Sequence, residues 1–371
     1  MNRDRIHSAG PWITDKEAQY VGDAIRNGWY DENRSYIEAF ENAFAAYLGV
    51  RYALATSHGT GALHLALAAS GVADGDEIIV PDISWIATAN VVRHCGATPV
   101  FIDVRPGDWT IDPDQIEKAI TRQTKAIFPV HLYGHPADMI AITSIAEANG
   151  LIVIEDAAPA VGSTYHGKKA GTFGRAAGFS FQGAKLLATG QGGMLVTDDE
   201  DVYNRAVRMY EHGRQPERGI FFSAEVGHNF KMANLVAAMG LAQIERVDEL
   251  VAQKQKVFRQ YEERLDGLNG VVMQAPGPDC VSNGSNPSIL INPDLADRDT
   301  VRTELQRRNI DTRPTFPRMS SMPSFRKSDT PVSKHVEENG LNLPTPAYLD
   351  NDDIGSVCDA LAEIIEKSAK R

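Results

Sequence analysis

From about residue 50 onward the chain alternates short apolar runs with segments whose apolar positions recur at helical spacing. Two helices come first, over residues 14–27 and 36–47, with Gly49 placed to close the second. Apolar runs at 53–56, 77–80, 99–103, 124–130 and 151–156 then alternate with helical patterns over 59–69, 87–94, 113–120 and 139–148, and a further run at 177–181 ends the series. Continuous apolar runs between helices are what a parallel sheet covered on both faces requires, since its strands have no solvent side to carry polar residues. The expected fold class is therefore α/β.

The pattern changes after residue 230. Residues 234–265 read as one long helix-forming stretch, with an apolar stripe of Leu235, Met239, Ile244, Val247, Leu250 and Val251. A passage rich in glycine and proline, 269–287, leads to a strand at 288–292, a helix at 299–308, a proline-rich loop at 313–323 and a closing helix at 352–367. With 371 residues the chain exceeds what one hydrophobic core usually fills. A large domain over residues 1–250 and a smaller α+β domain over 251–371 are expected. No repeat of fixed period and no low-complexity segment interrupts this scheme.

Composition removes several function classes. The formal net charge of −12 argues against nonspecific binding of nucleic acid through a basic surface. The cysteines, Cys95, Cys280 and Cys358, are odd in number, widely spaced and without a CxxC pair, so neither a disulfide framework nor a zinc site is expected, and a reducing cytoplasm fits best. The start of the chain lacks an apolar leader, and no apolar run is long enough to span a bilayer; neither secretion nor membrane insertion is expected.

Candidate chemistry gathers at the ends of the apolar runs. Lys185 follows the run 177–181 among small residues and glycines, where its amine could form a Schiff base with a carbonyl compound such as pyridoxal phosphate. Taken alone, it reads far better as a solvated surface lysine, the ordinary state of a lone lysine. Ser-His-Gly-Thr-Gly-Ala at 57–62 opens a helix after a strand, so its N–H groups and Thr60 hydroxyl suit an anion, although a glycine turn needed only for packing has the same look. It is neither a Walker A loop nor a full GxGxxG. Asp156 ends the run 151–156, at the sheet edge where α/β folds bind ligands; it suits a protonated pyridine nitrogen, or simply a helix cap. Trp85, after the run 77–80, offers a flat face for a ring, or a core side chain.

In this order the residues resemble the DegT/DnrJ/StrS family of sugar aminotransferases, fold-type I pyridoxal-phosphate enzymes. The resemblance runs over nearly the whole chain, through residues 40–49, Gly59-Thr60, 75–81, 96–103, 124–127, 129–134, 155–158, 180–193, 227–232 and 240–246. It implies a mainly parallel central sheet in a large domain and a smaller C-terminal α+β domain. It implies Lys185 as the Schiff-base lysine, Asp156 as partner of the pyridine nitrogen, Trp85 as stacking aromatic, and Gly59, Thr60 and Ser180 as phosphate binders. Asn229 would reach the phosphate of a neighbouring subunit, which implies a homodimer with shared active sites.

The chain departs from the family pattern at four of these places. Pro159 stands where relatives carry a Gln, Glu or His near the cofactor's phenolic oxygen, and proline has no side-chain donor. Gln191 replaces a Glu, Lys231 an Arg, and His58 a Ser or Asn. The resemblance implies L-glutamate as amino donor and a nucleotide-linked keto-sugar as acceptor. Residues 167–169, 310–314 and 342–345 look most like the GDP-perosamine synthase branch, which aminates C4 of GDP-4-keto-6-deoxymannose for O-antigen and other amino-sugar synthesis; the loop 316–323 lacks that branch's histidine. Another keto-sugar, 3-keto or linked to UDP or dTDP, is the alternative acceptor. Arg313 and Arg318 are the candidates for the diphosphate. A regulatory cofactor-binding protein would carry a DNA-binding segment, and a nucleotide-sugar oxidoreductase a GxGxxG-opened unit; neither pattern occurs.

Overall fold

Each apolar run of the first half forms a strand in the computed structural model, which describes residues 5–370. The first four residues, part of the stretch read as lacking a leader, lie outside the described ones. Strands β1 (Tyr52–Thr56), β2 (Glu77–Pro81), β3 (Thr98–Ile102), β4 (Thr124–Ile127) and β5 (Ile152–Asp156) come first. A small hairpin, β6 (Thr164–Tyr165) and β7 (Lys168–Lys169), separates them from β8 (Ala176–Ser180) and β9 (Gly193–Thr197). Seven of the nine make one sheet in the order β1-β9-β8-β5-β4-β2-β3. Only β9 runs against its neighbours. It lies beyond the expected strands, because the glycine run before it reads as loop; Gly193 pairs with both Thr56 and Ser180.

Helices cover both faces. The helix Gly59–Ala69 is buried along almost its whole length against the sheet, so it shows little amphipathic pattern. On the other face Phe40 and Phe44, from the helix Ser35–Leu48, pack with Phe179 and Phe181. Two further helices, Glu200–Tyr210 and Pro331–Asn339, add to those expected.

The stretch 234–265 is two helices, Asn234–Ile244 and Val247–Leu265, and not the single one expected. The break has an electrostatic reason. Arg246 leaves helical geometry (φ −116°, ψ 13°). Its guanidinium thereby donates to Glu17 Oε1 at 2.8 Å and Thr14 Oγ1 at 3.2 Å, and Gln243 Nε2 also donates to Glu17 Oε1, at 2.6 Å. Burial would push the Glu17 carboxyl up, but hydrogen bonds from Thr14 and Gln243 outweigh it and hold the group at about 2. A buried carboxylate at the start of the first helix thus sets where a helix more than 200 residues later is interrupted.

The second half adds β10 (Val271–Met273), β11 (Cys280–Val281), β12 (Ser288–Ile291), β13 (Arg313–Pro314) and β14 (Gly340–Asn342). Four of these form an antiparallel sheet, β10-β12-β14-β13, while β11 joins β6 and β7 in a small one. The helix Val247–Leu265 feeds both halves: Val247 and Leu250 pack into the core with Phe40, Val257 and Tyr261 into the core with Leu341 and Leu361. The expected 250/251 division falls inside this one helix, which we take as the joint between the two cores. Ile6 pairs with Ile310, so the first described residues attach to the C-terminal core.

Lys254, on that joint, is buried with its Nζ bonded to the carbonyl and hydroxyl of Thr345 and, among the described residues, to no carboxylate. Burial lowers its pKa from 10.5 to about 8. Between pH 8 and 10.5 the unfolded chain therefore binds more protons than the folded one, and stability rises with pH across that window. Below it the charged amine costs the fold about 3 kcal/mol. Lys254→Met is expected to melt higher than wild type at pH 7, with the gap closing by pH 10.5, in paired thermal melts across that range.

Candidate active site

Four of the parallel strands deliver the candidate residues to one edge of the sheet. The C-terminal end of β1 leads into Ser57–Thr60, that of β2 into Trp85, that of β5 carries Asp156 and that of β8 carries Ser180. This is the edge at which α/β sheets bind ligands, because the chain leaves each strand there into a helix N-terminus or loop.

A narrow cradle forms where β1, β8 and β9 meet. A Cβ on Gly59 would stand 2.7 Å from the Ser180 Cβ, and one on Gly193 would stand 2.7 Å from the Gly59 Cα. Glycine at both places lets the helix N-terminus close against Ser180. His58 Nδ1 accepts from the Gly61 N–H at 2.8 Å, so the histidine that departs from Ser or Asn is still a working N-cap. Burial lowers its pKa and keeps the ring neutral, as that acceptor role needs. Among the described residues the N–H groups of Gly59 and Thr60 have no acceptor, and with the Thr60 and Ser180 hydroxyls they make a donor set suited to a phosphate dianion.

The two carboxylates at the end of β5 have opposite fates. Glu155 is saturated by the N–H groups of Gly171, Phe173 and Gly174, at 2.7, 2.7 and 2.6 Å, and by His131 Nε2 at 2.9 Å. It holds the fold. Asp156, 4% exposed, has among the described residues one protein donor on each oxygen: Thr88 Oγ1 on Oδ2 at 2.8 Å and the Ala158 N–H on Oδ1 at 3.1 Å. Burial raises its pKa, while those hydrogen bonds and the Lys185 charge pull it back. Lys185 is half-buried, and its Nζ has no hydrogen bond or ion pair among the described residues. Burial lowers its pKa and Asp156 opposes the change, so each group feels the other's charge. A buried acid and a nearby unpaired amine fit the ring nitrogen and the aldehyde of pyridoxal phosphate, with the donor cradle at its phosphate.

Trp85 completes that fit. Its indole is 61% exposed, an unusual state for the largest side chain, and it leaves a flat face open beside the sheet edge. Phe316, from the proline-rich loop, tilts against it with ring centroids 5.8 Å apart and stacks on Tyr133 at 5.3 Å. The loop 313–323 is thus seated over the Trp85 segment, where Arg318 also bridges to Ile83. It is fixed there by buried Asp82, which accepts from the Ser320 N–H at 2.7 Å, the Ser320 hydroxyl at 2.6 Å and the Thr330 hydroxyl at 2.5 Å.

The arginines differ from one another. Arg318 Nε pairs with Glu337 at 2.8 Å, so its charge is already balanced. Arg313 is exposed and donates from Nε to Ser8 Oγ at 3.1 Å. Asn229 is exposed on a segment that runs beside the cradle, where Phe230 O accepts from the Ser57 N–H at 2.7 Å. Lys231, in place of an Arg, pairs with Glu211 at 2.6 Å. Gln191 is exposed, and the Pro159 carbonyl accepts from Asn283 Nδ2 at 3.0 Å. Thr88, Phe316, Asp82 and Gly193 are the residues that sequence reasoning missed. For Thr88 the only signal was a hydroxyl three residues after Trp85 in an otherwise ordinary helix.

A model of the DegT/DnrJ/EryC1/StrS aminotransferase family matches residues 11–362. A GDP-perosamine synthase from Caulobacter vibrioides is 41% identical over 369 residues, which cover 97% of this chain and 98% of that protein. A GDP-perosamine synthase from Escherichia coli O157:H7 is 38% identical over 95% of this chain and 96% of its own. Among solved structures, the PMP-form of Spr1654 from Streptococcus pneumoniae superposes with a TM-score of 0.93 at 24% identity, covering 99% of both chains, and so shares the fold.

Proposed function

The chain belongs to the DegT/DnrJ/EryC1/StrS aminotransferase family, and we propose that this pyridoxal-phosphate aminotransferase moves an amino group from L-glutamate to C4 of GDP-4-keto-6-deoxymannose, giving GDP-perosamine for O-antigen or related polysaccharide. The observation that carries the reading is the placement of Lys185 within reach of the Asp156 charge at one sheet edge, in a chain 41% and 38% identical over nearly its full length to two GDP-perosamine synthases.

When bound, pyridoxal phosphate supplies an aldehyde that carries the amino group and a ring that draws electrons from the donor's α-carbon. The residues divide the remaining work. Gly59, Thr60 and Ser180 would hold the phosphate through N–H and hydroxyl donors, Trp85 would offer its face to the ring, and Asp156 would hold the proton on the ring nitrogen. Lys185 Nζ would move the proton taken from the donor's α-carbon to the carbon that bears the cofactor's aldehyde and, in the second half-reaction, would move a proton from that carbon to the sugar carbon. Its lowered pKa suits that work, because an amine must shed its proton to act as a base. Arg313 and Arg318 lie on the loop over Trp85 and would meet the nucleotide's diphosphate there. Because Arg318 is balanced by Glu337, we assign the larger share of diphosphate binding to Arg313.

A homodimer is supported by a run of apolar side chains that water would otherwise cover. Ile220, Phe221 and Val226 are exposed, Phe221 by 93%, within ten residues of Asn229. A second copy seated on this run would take Asn229 towards its own phosphate cradle. Among the described residues no helix is long and apolar enough to cross a membrane, and the three cysteines are free; a cytoplasmic enzyme accords with both.

The substrate assignment is tested by offering the holoenzyme GDP-4-keto-6-deoxymannose beside UDP- and dTDP-linked 4-keto and 3-keto sugars, with glutamate as donor. The GDP-linked 4-keto sugar should show the highest kcat/KM, by about tenfold or more. Preferential turnover of a 3-keto or non-GDP sugar would remove the C4 assignment.

A further inference from the structure

Thr88 touches both residues that frame the cofactor ring. It is fully buried in the first turn of the helix Ala87–His94. Its backbone N–H donates to the Trp85 carbonyl at 3.1 Å, and its Oγ1 lies 2.8 Å from Asp156 Oδ2. A hydroxyl has one proton to give, and an ionised carboxylate can only accept, so Thr88 donates to Asp156. The buried Ser84 hydroxyl, 3.1 Å from Thr88 Oγ1, must then donate to Thr88. The chain of hydrogen bonds has one direction, from Ser84 through Thr88 to Asp156.

We propose that Thr88 is the positioning residue that registers the ring-stacking Trp85 against the ring-nitrogen partner Asp156, and that Ser84 fixes the direction of its hydroxyl. The proposal rests on the assignment of Asp156 to the ring nitrogen. Among the described residues Asp156 has one protein donor on each oxygen. Removing that on Oδ2 frees the carboxyl to turn about its Cβ–Cγ bond. It also removes a contact that favours the charged form of an acid whose burial already favours the neutral one. A neutral or turned Asp156 holds the ring nitrogen's proton poorly. Because Thr88 also bonds Trp85 through its backbone, the ring's edge and its stacked face are fixed from a single residue, at the start of one short helix.

The test measures pyridoxal phosphate affinity, by titrating apoenzyme and following visible absorbance, for wild type, Thr88→Val, Thr88→Ser and Asp156→Asn. Valine keeps the branched shape and the backbone N–H and removes only the hydroxyl. Thr88→Val is expected to bind the cofactor about tenfold or more weakly, the loss of one hydrogen bond to a charged group, and Thr88→Ser to stay within about threefold of wild type. A second readout is the pH midpoint of the bound cofactor's visible spectrum, which should move in Thr88→Val by about one pH unit and not in Thr88→Ser. Wild-type affinity and midpoint in Thr88→Val, with Asp156→Asn impaired, would overturn the Thr88 proposal alone. Unchanged affinity in Asp156→Asn would overturn the Asp156 assignment and this inference with it. If Thr88→Val does not fold, Ser84→Ala stands in, with an expected loss of about threefold; no loss there would equally overturn the proposal.

Discussion

Replacing Lys185 with alanine is expected to leave a folded protein that still takes up pyridoxal phosphate but transfers amino groups more than about 10⁴-fold more slowly. Folding should survive because the Lys185 side chain makes no hydrogen bond or ion pair among the described residues. Binding should survive in part because the Gly59, Thr60 and Ser180 cradle, the Trp85 face and Asp156 remain. The loss in rate should be near complete because Lys185 is the amine assigned to carry the proton. Lys185→Arg should not rescue it: a guanidinium stays protonated and so cannot serve as a base. Single-turnover decay of the cofactor spectrum after adding glutamate measures this directly. A rate within tenfold of wild type in Lys185→Ala would mean that another group does the proton work.

Asp156→Asn is expected to lower kcat by about 10²–10³-fold, the range seen when a single electrostatic partner of a reacting group is removed. The asparagine fits the same space and still accepts from Thr88 on its oxygen, but it carries no charge to hold the ring nitrogen's proton. The pH dependence separates this from a mere packing defect. Burial raises the Asp156 pKa above its ordinary value of 3.8 and a paired ring nitrogen opposes that rise, so the acid limb of the wild-type rate should follow the titration of Asp156. Below that pKa the carboxyl is neutral and the ring loses its partner. Asp156→Asn, having nothing to titrate there, should show a low rate without that acid limb. Retention of the limb in the variant would assign it to a different group.

Much of the architecture was legible in the sequence because parallel strands buried on both faces leave continuous apolar runs. Each of β1 to β5 and β8 lies on such a run. What the runs could not show is whatever depends on pairing or on distant charges. β9 is a strand because Gly193 meets Thr56 and Ser180, and the break at Arg246 exists because Glu17 is buried far away in sequence. The site divides in the same way. Lys185, Asp156, Trp85 and the 57–62 turn stand at strand ends, a place that the pattern predicts and at which they are found. Thr88 and Asp82 act through contacts with residues 68 and 238 positions away, for which no local pattern exists. His58 shows a third case: it looks like a departure from family chemistry, yet its ring nitrogen serves the capping role that a hydroxyl or amide oxygen would.

Every role proposed for the site turns on the cofactor being held on Lys185. Reduction of the holoenzyme with borohydride fixes pyridoxal phosphate on whichever lysine carries it, and proteolysis followed by peptide mass mapping identifies that lysine. The added mass is expected on the peptide containing Lys185 alone. Label on another lysine, such as buried Lys254, or no label on a protein shown to bind the cofactor, would contradict it.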